Sequence, residues 1–139
     1  MSQENVELAR ERYEALSSAV QNGDFDGFLT EYADPEVEWV PLQESLDSVA
    51  VQRGREAVSK RFTDMVEDVD EPRIEAEEFI DAGDRTVVGV RMSGRGRASG
   101  AEVEGRLFHV VNTDAHGRLT RIEWYASRAE ALKAVGLEE

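Results

Sequence analysis

Cysteine is absent from the sequence, which excludes disulfides, thiolate nucleophiles and cysteine-bound metals and fits a reducing compartment. Histidine is nearly absent as well. His109 and His116 are the only two, they form no HxxxH or HxxE pattern, and no metal centre is expected. No apolar run approaches the roughly 20 residues that cross a bilayer, and the first 16 residues are polar, mixed in charge and helix-patterned, unlike a secretion leader. A cytoplasmic protein with no membrane partner is expected. Basic residues are scarce, 16 against 30 acidic, and they stand singly between acids. The resulting net charge of −14 repels phosphate backbones, so no nucleic acid partner is expected, and the acidic excess reads as a solubility device. Phosphate-binding loops are missing too. Gly94-Arg95-Gly96-Arg97 runs into Ser99-Gly100 without opening a helix, so neither a P-loop nor a dinucleotide fingerprint is present and no cofactor is expected.

What remains is 139 residues, 40% of them apolar, which is enough to build one core; a single domain over residues 1–139 follows. Val6, Ala9, Tyr13, Leu16, Ala19 and Val20 recur at steps of three and four, predicting an amphipathic helix over residues 5–20. Asn22-Gly23 ends it. Asp24 then caps a second helix over residues 25–32, closed by Asp34-Pro35. The alternation around Val37 and Trp39 marks a strand from residue 36 that Pro41 interrupts. Residues 43–54 show no period. A third helix is expected over residues 55–69, closed by Pro72. Four strands follow over residues 73–81, 85–95, 102–113 and 119–127, in hairpin order and hence an antiparallel meander. A short helix over residues 129–135 closes the chain, with Gly136 as its cap and Leu137 folding back as an apolar anchor. Helices first and strands after give an α+β class.

The phrases Gly23-Asp24-Phe25-Asp26-Gly27-Phe28-Leu29 and Tyr32-Ala33-Asp34-Pro35-Glu36-Val37-Glu38-Trp39 carry a further signal. Together with Glu78-Phe79-Ile80-Asp81-Ala82-Gly83-Asp84-Arg85, His116-Gly117-Arg118-Leu119 and the ending Arg128-Ala129-Glu130-Ala131-Leu132, their order resembles the SnoaL-like branch of the nuclear transport factor 2-like superfamily. The resemblance implies a cone: a curved antiparallel sheet wrapped around three N-terminal helices, with an apolar pocket between them. It also implies a homodimer. Chemistry varies on that fold, including polyketide cyclases, ketosteroid isomerases and members with none, so the site must decide.

Two carboxylates of that chemistry are not found where the resemblance implies them. The base position of the isomerases falls on Trp39, with Glu38 pointing to the opposite face, and the late-strand acid of the cyclases falls on Trp124, with Glu123 opposite. His109, in the apolar strand Leu107-Phe108-His109-Val110-Val111, is the candidate base, with Glu104 as its assistant, or else a core histidine satisfied locally. Tyr13 is a candidate hydroxyl donor, or helix-face core. Trp39, Phe28, Tyr32, Phe62, Met65 and Trp124 are expected to face inward as pocket wall or core. Arg91 and His116 are assigned to solvent. The functional expectation is a small apolar ligand in the cone, with proton-transfer chemistry of isomerase or cyclase type; the alternative is a non-catalytic protein whose cone is filled by Trp39, Trp124 and Phe62.

Overall fold

The structure is a computed structural model that describes residues 2–42 and 51–137; residues 43–50 of the expected loop lie outside the described residues. Helix α1 (Ser2–Asn22) buries Ala9, Tyr13, Leu16, Ala19 and Val20 along one face, as their spacing requires. Gly23, at a φ of 68°, turns the chain out of it. The Asp24 carboxylate accepts a 3.0 Å hydrogen bond from the Gly27 N–H and starts helix α2 (Phe25–Tyr32). Strand β1 (Ala33–Val40), the two-residue strand β2 (Gln52–Arg53) and helix α3 (Arg55–Val66) follow. The meander is strands β3 (Val69–Asp81), β4 (Arg85–Gly96), β5 (Glu102–Thr113) and β6 (Leu119–Tyr125), and helix α4 (Arg128–Ala134) follows it.

The six strands form one sheet in the order β2-β1-β6-β5-β4-β3. The four-strand antiparallel meander is as expected. The sheet as a whole is mixed, because β1 pairs in parallel with β6. The connection explains this: β1 and β6 are separated by α3 and the whole meander, so no tight hairpin forces them to run oppositely. Strand β3 also starts earlier than expected. Pro72 lies inside it, on a free sheet edge where a missing N–H costs nothing, and the register slips between Asp70 and Arg73 around Glu71, which has a φ of 50°. A second slip falls between Ala76 and Glu78. Such irregularities bend a sheet, and here they lie on the strand that packs most heavily against α1.

One sheet face closes over α1, α2 and α3 and carries Val37, Trp39, Val88, Val90, Val111, Ile122 and Trp124 in the main core. The other face holds a smaller cluster in which Val87 and Val110 meet Ala131 and Leu132 of α4. Helix α4 is capped by Ser127, and it ends with Gly136 N–H bonded to Lys133 C=O and Leu137 N–H to Leu132 C=O, a Schellman ending. The expected anchoring of Leu137 does not occur; its side chain is exposed, and only its backbone folds back. Among the described residues no helix is long and apolar enough to cross a membrane.

The centre of the core is aromatic. Trp39 stacks on Trp124 with ring centroids 4.8 Å apart, Phe62 meets Trp39 edge-on at 4.2 Å, and Phe25 stacks on Phe62 at 4.9 Å. All four rings belong to the main core between sheet and helices. Removing one should leave a void that the neighbouring rings cannot collapse into, so Trp39→Ala is expected to cost about 3–5 kcal/mol in urea unfolding. A loss under about 1 kcal/mol would contradict this packing.

Candidate functional site

Tyr13 points inward from the middle of α1, and His109 points inward from the middle of β5, where it pairs in register with Trp124. Both are buried, and the Tyr13 hydroxyl lies 2.6 Å from His109 Nδ1. The imidazole also packs on Trp124, ring centroids 4.1 Å apart. Burial holds His109 far below its ordinary value, at about 3, so the ring is neutral at physiological pH. Burial likewise pushes the Tyr13 phenol upward, so it keeps its proton. A phenol has one proton and, among the described residues, Tyr13 has one partner for it. With Tyr13 donating to Nδ1, the imidazole proton sits on Nε2, an atom with no partner among the described residues.

Tyr13 borders two hollows, and a third lies further along α1. A small chamber of about 10 Å³, room for roughly one water molecule, is lined by Arg12, Tyr13, Phe28, Phe62 and His109 with Leu16, Leu119 and Ile122. An open cleft of about 220 Å³ lies between α1 and β3, lined by Tyr13, Ser17, Ile74, Ala76 and Phe79, with Arg10, Glu14 and Glu75 beside them. The Arg10 guanidinium sits 4.8 Å over the Phe79 ring, and Phe79 meets Tyr13 edge-on. An apolar groove of about 190 Å³, two turns further along α1, runs past Val20, Met65, Val69, Met92 and Val103. Tyr13 is the residue shared by the chamber and the cleft.

The expected site residues divide among these places. Tyr13, His109, Phe28 and Phe62 meet around the chamber. Trp124 and Trp39 stack behind them as core, Tyr32 lies half-buried against Phe28, and Met65 lines the distant groove. Trp39, Trp124 and Phe62 pack against one another in the interior, and the pocket beside them that His109 lines has about 10 Å³. Glu104 does not join His109. The two are five positions apart on one strand, an odd separation that sends them to opposite faces, and Glu104 instead pairs with Arg91 at 2.7 Å. Arg91 itself stays partly exposed to solvent, in keeping with its assignment. Glu38 and Glu123 lie on the outer face as expected, joined through Arg121, which donates to Glu38 at 2.9 Å and to Glu123 at 2.8 Å. Hydrogen bonds from Arg53 and Arg121 hold Glu38 below the usual carboxylate range. Tyr125, pushed up to about 12 by burial and by its hydrogen bond to Glu123, belongs to the same network.

One residue at the chamber escaped the sequence reading. Arg12 stands three positions after Ala9, on the buried stripe of α1, and a cation on that stripe is the signal that marked it. Among the described residues no group of histidine and carboxylate side chains is arranged to hold a metal ion.

The sequence model of the SnoaL-like domain matches residues 13–122, from the site tyrosine to the last strand. The chain belongs to the SnoaL-like family. This SnoaL-like protein also shares its fold with solved structures. A SnoaL-like polyketide cyclase homologue from Jannaschia sp. CCS1 superposes with a TM-score of 0.74 at 15% identity, over 99% of this chain and 95% of that one. A nuclear transport factor 2-like protein from Anabaena variabilis ATCC 29413 gives 0.72 at 14% identity, over 88% and 89%. A ketosteroid isomerase-like protein from Catenulispora acidiphila DSM 44928, solved in complex with trimethylamine, gives 0.68 at 17% identity, over 91% and 93%. At such identities the likeness is one of fold. No curated protein matches the chain by sequence.

The buried imidazole gives the SnoaL-like protein a defined pH response. Its folded value of about 3 lies below the unfolded value near 6.5, so below pH 6.5 the unfolded chain takes up a proton that the folded chain refuses. Stability is therefore lost as pH falls from about 6.5 toward 3. Between pH 7 and pH 5 the wild type is expected to lose about 2 kcal/mol more than His109→Leu, measured by urea unfolding of both. Equal losses in the two proteins would show that His109 titrates normally in the fold.

Proposed function

We propose that this SnoaL-like protein binds a small, mostly apolar molecule bearing one carbonyl or hydroxyl oxygen, in the cleft between α1 and β3, with Tyr13 meeting that oxygen. The observation that carries this reading is the Tyr13–His109 hydrogen bond, a polar pair buried at 2.6 Å, of which Tyr13 also lines an open cleft. Polar groups so placed cost stability unless fully satisfied, and the Nε2 atom is not. A neutral imidazole has two tautomers. With the proton on Nδ1, His109 donates to the Tyr13 oxygen and releases the phenol proton toward the cleft, so the pair turns outward without either group becoming charged.

The chemistry that fits is polarisation of a carbonyl by Tyr13, the oxyanion half of an isomerase- or cyclase-type proton transfer. His109 is too weak a base for the other half. Glu14 and Glu75, both lining the cleft, are the carboxylates available to take the proton. Ile74, Ala76 and Phe79 supply the apolar wall that selects a largely apolar molecule.

A second reading is favoured by the small size of the chamber, about 10 Å³: a non-catalytic member whose cone is packed with side chains and whose outer sheet face makes a homodimer. One experiment separates the two. Wild type, Tyr13→Phe and His109→Ala are screened by thermal shift against steroids, aromatic lactones and short epoxides. Under the ligand reading the wild-type melting temperature rises with concentration, on the order of 5–10 °C at a hundredfold excess over Kd, and both variants lose the response. No shift with any compound, together with a dimer by light scattering, selects the second reading.

A further inference from the structure

We infer, resting on the cleft reading above, that the ligand is an oxo acid whose carbonyl stands a few carbons from its carboxyl group, with Arg10 meeting the carboxylate while Tyr13 meets the carbonyl oxygen. Four residues of α1 line the cleft, Arg10, Tyr13, Glu14 and Ser17, and offsets of three, four and seven positions put them on one stripe of the helix. A ligand lying along that stripe meets a guanidinium and then, three residues or about 4.5 Å further along the axis, a phenol. Phe79 sets the two side by side. The Arg10 guanidinium lies 4.8 Å over its ring, and Tyr13 meets the same ring edge-on.

Arg10 is held at the cleft without being neutralised. Glu7 stands three positions before it and Glu14 four after, spacings at which helical ion pairs form, yet among the described residues Arg10 makes none and lies on Phe79 instead. Arg53, Arg91, Arg97, Arg106, Arg121 and Arg128, by contrast, each reach a carboxylate. A guanidinium stacked on an aromatic ring is fixed in place while its in-plane N–H groups remain able to fork a carboxylate. The cleft is also polarised along its length. Helix α1 and strand β3 run in opposite directions past it, because Arg10 lies on Phe79 while Val20 shares the neighbouring groove with Val69 and Pro72. Glu75 therefore stands four residues, about 13 Å of strand, from the Phe79 end. An acid entering with its charge at Arg10 avoids Glu75, and that orientation brings its carbonyl to Tyr13 and Glu14.

The test titrates the γ-oxo acid benzoylpropionate and its methyl ester into the protein by calorimetry; the phenyl group suits the wall of Ile74, Ala76 and Phe79, and the two probes differ only in charge. The wild type should bind the acid on the order of fivefold tighter than the ester, the contribution of one exposed ion pair, and the preference should fade in about 0.5 M sodium chloride. Arg10→Gln, a change at an exposed position, should bind acid and ester alike, and Arg10→Lys should keep part of the preference. An ester bound by the wild type as tightly as the acid, or a preference for the acid that survives in Arg10→Gln, would overturn the inference and leave the cleft reading standing. Binding of neither compound would overturn both.

Discussion

The hydrogen bond between Tyr13 and His109 is the constraint on which the rest of the structure turns. It spans 96 positions in sequence, ties the centre of α1 to the centre of β5, and does so where water cannot substitute for either partner. Apolar contacts alone would let a helix roll on a curved sheet with little penalty. A directional bond of 2.6 Å between two buried groups fixes both its rotation and its position along the sheet. Once α1 is fixed, Arg12 is carried inward to the chamber, and Tyr13 and Ser17 are turned to the cleft beside β3.

Packing then decides where a molecule can bind. The stacked Trp39 and Trp124 with Phe62 pack the interior behind His109, and the pocket that His109 lines has about 10 Å³. Two larger hollows flank α1, one mixed in polarity beside Tyr13 and one apolar beside Met65 and Met92, and a polar one of about 540 Å³ lies over β3, β4 and β5. Under the proposed reading the buried pair is the polar end of the first flank, and His109 serves by changing tautomer and not by changing charge. The same burial that disqualifies His109 as a base makes it a neutral hydrogen-bond partner over the whole physiological range.

Much of this was legible in the residues. The period of α1, the Asp24 cap, the turn at Gly83 and the meander all followed from local chemistry, and the inward positions of Trp39 and Trp124 followed from strand alternation. Alternation also turned Glu38 and Glu123 outward. The parallel pairing of β1 with β6 was not legible, because it joins segments about 80 residues apart and no turn residue encodes it. The strand status of Pro72 was hidden because proline is permitted on an edge, and edge position is a property of the assembled sheet. Glu104 was linked to His109 by closeness in sequence, where parity of spacing already opposed it. Arg12 was visible in the helical stripe, and its place at the chamber became plain only in the assembled fold.

The most direct measurement of the central hydrogen bond is the nitrogen-15 spectrum of the His109 imidazole. A neutral ring is expected from pH 7.5 down to pH 5, with Nδ1 unprotonated and accepting from Tyr13 and the proton on Nε2, together with a strongly deshielded Tyr13 hydroxyl proton. A ring that is doubly protonated at pH 5.5, or one whose Nδ1 shift is unmoved by Tyr13→Phe, would contradict it.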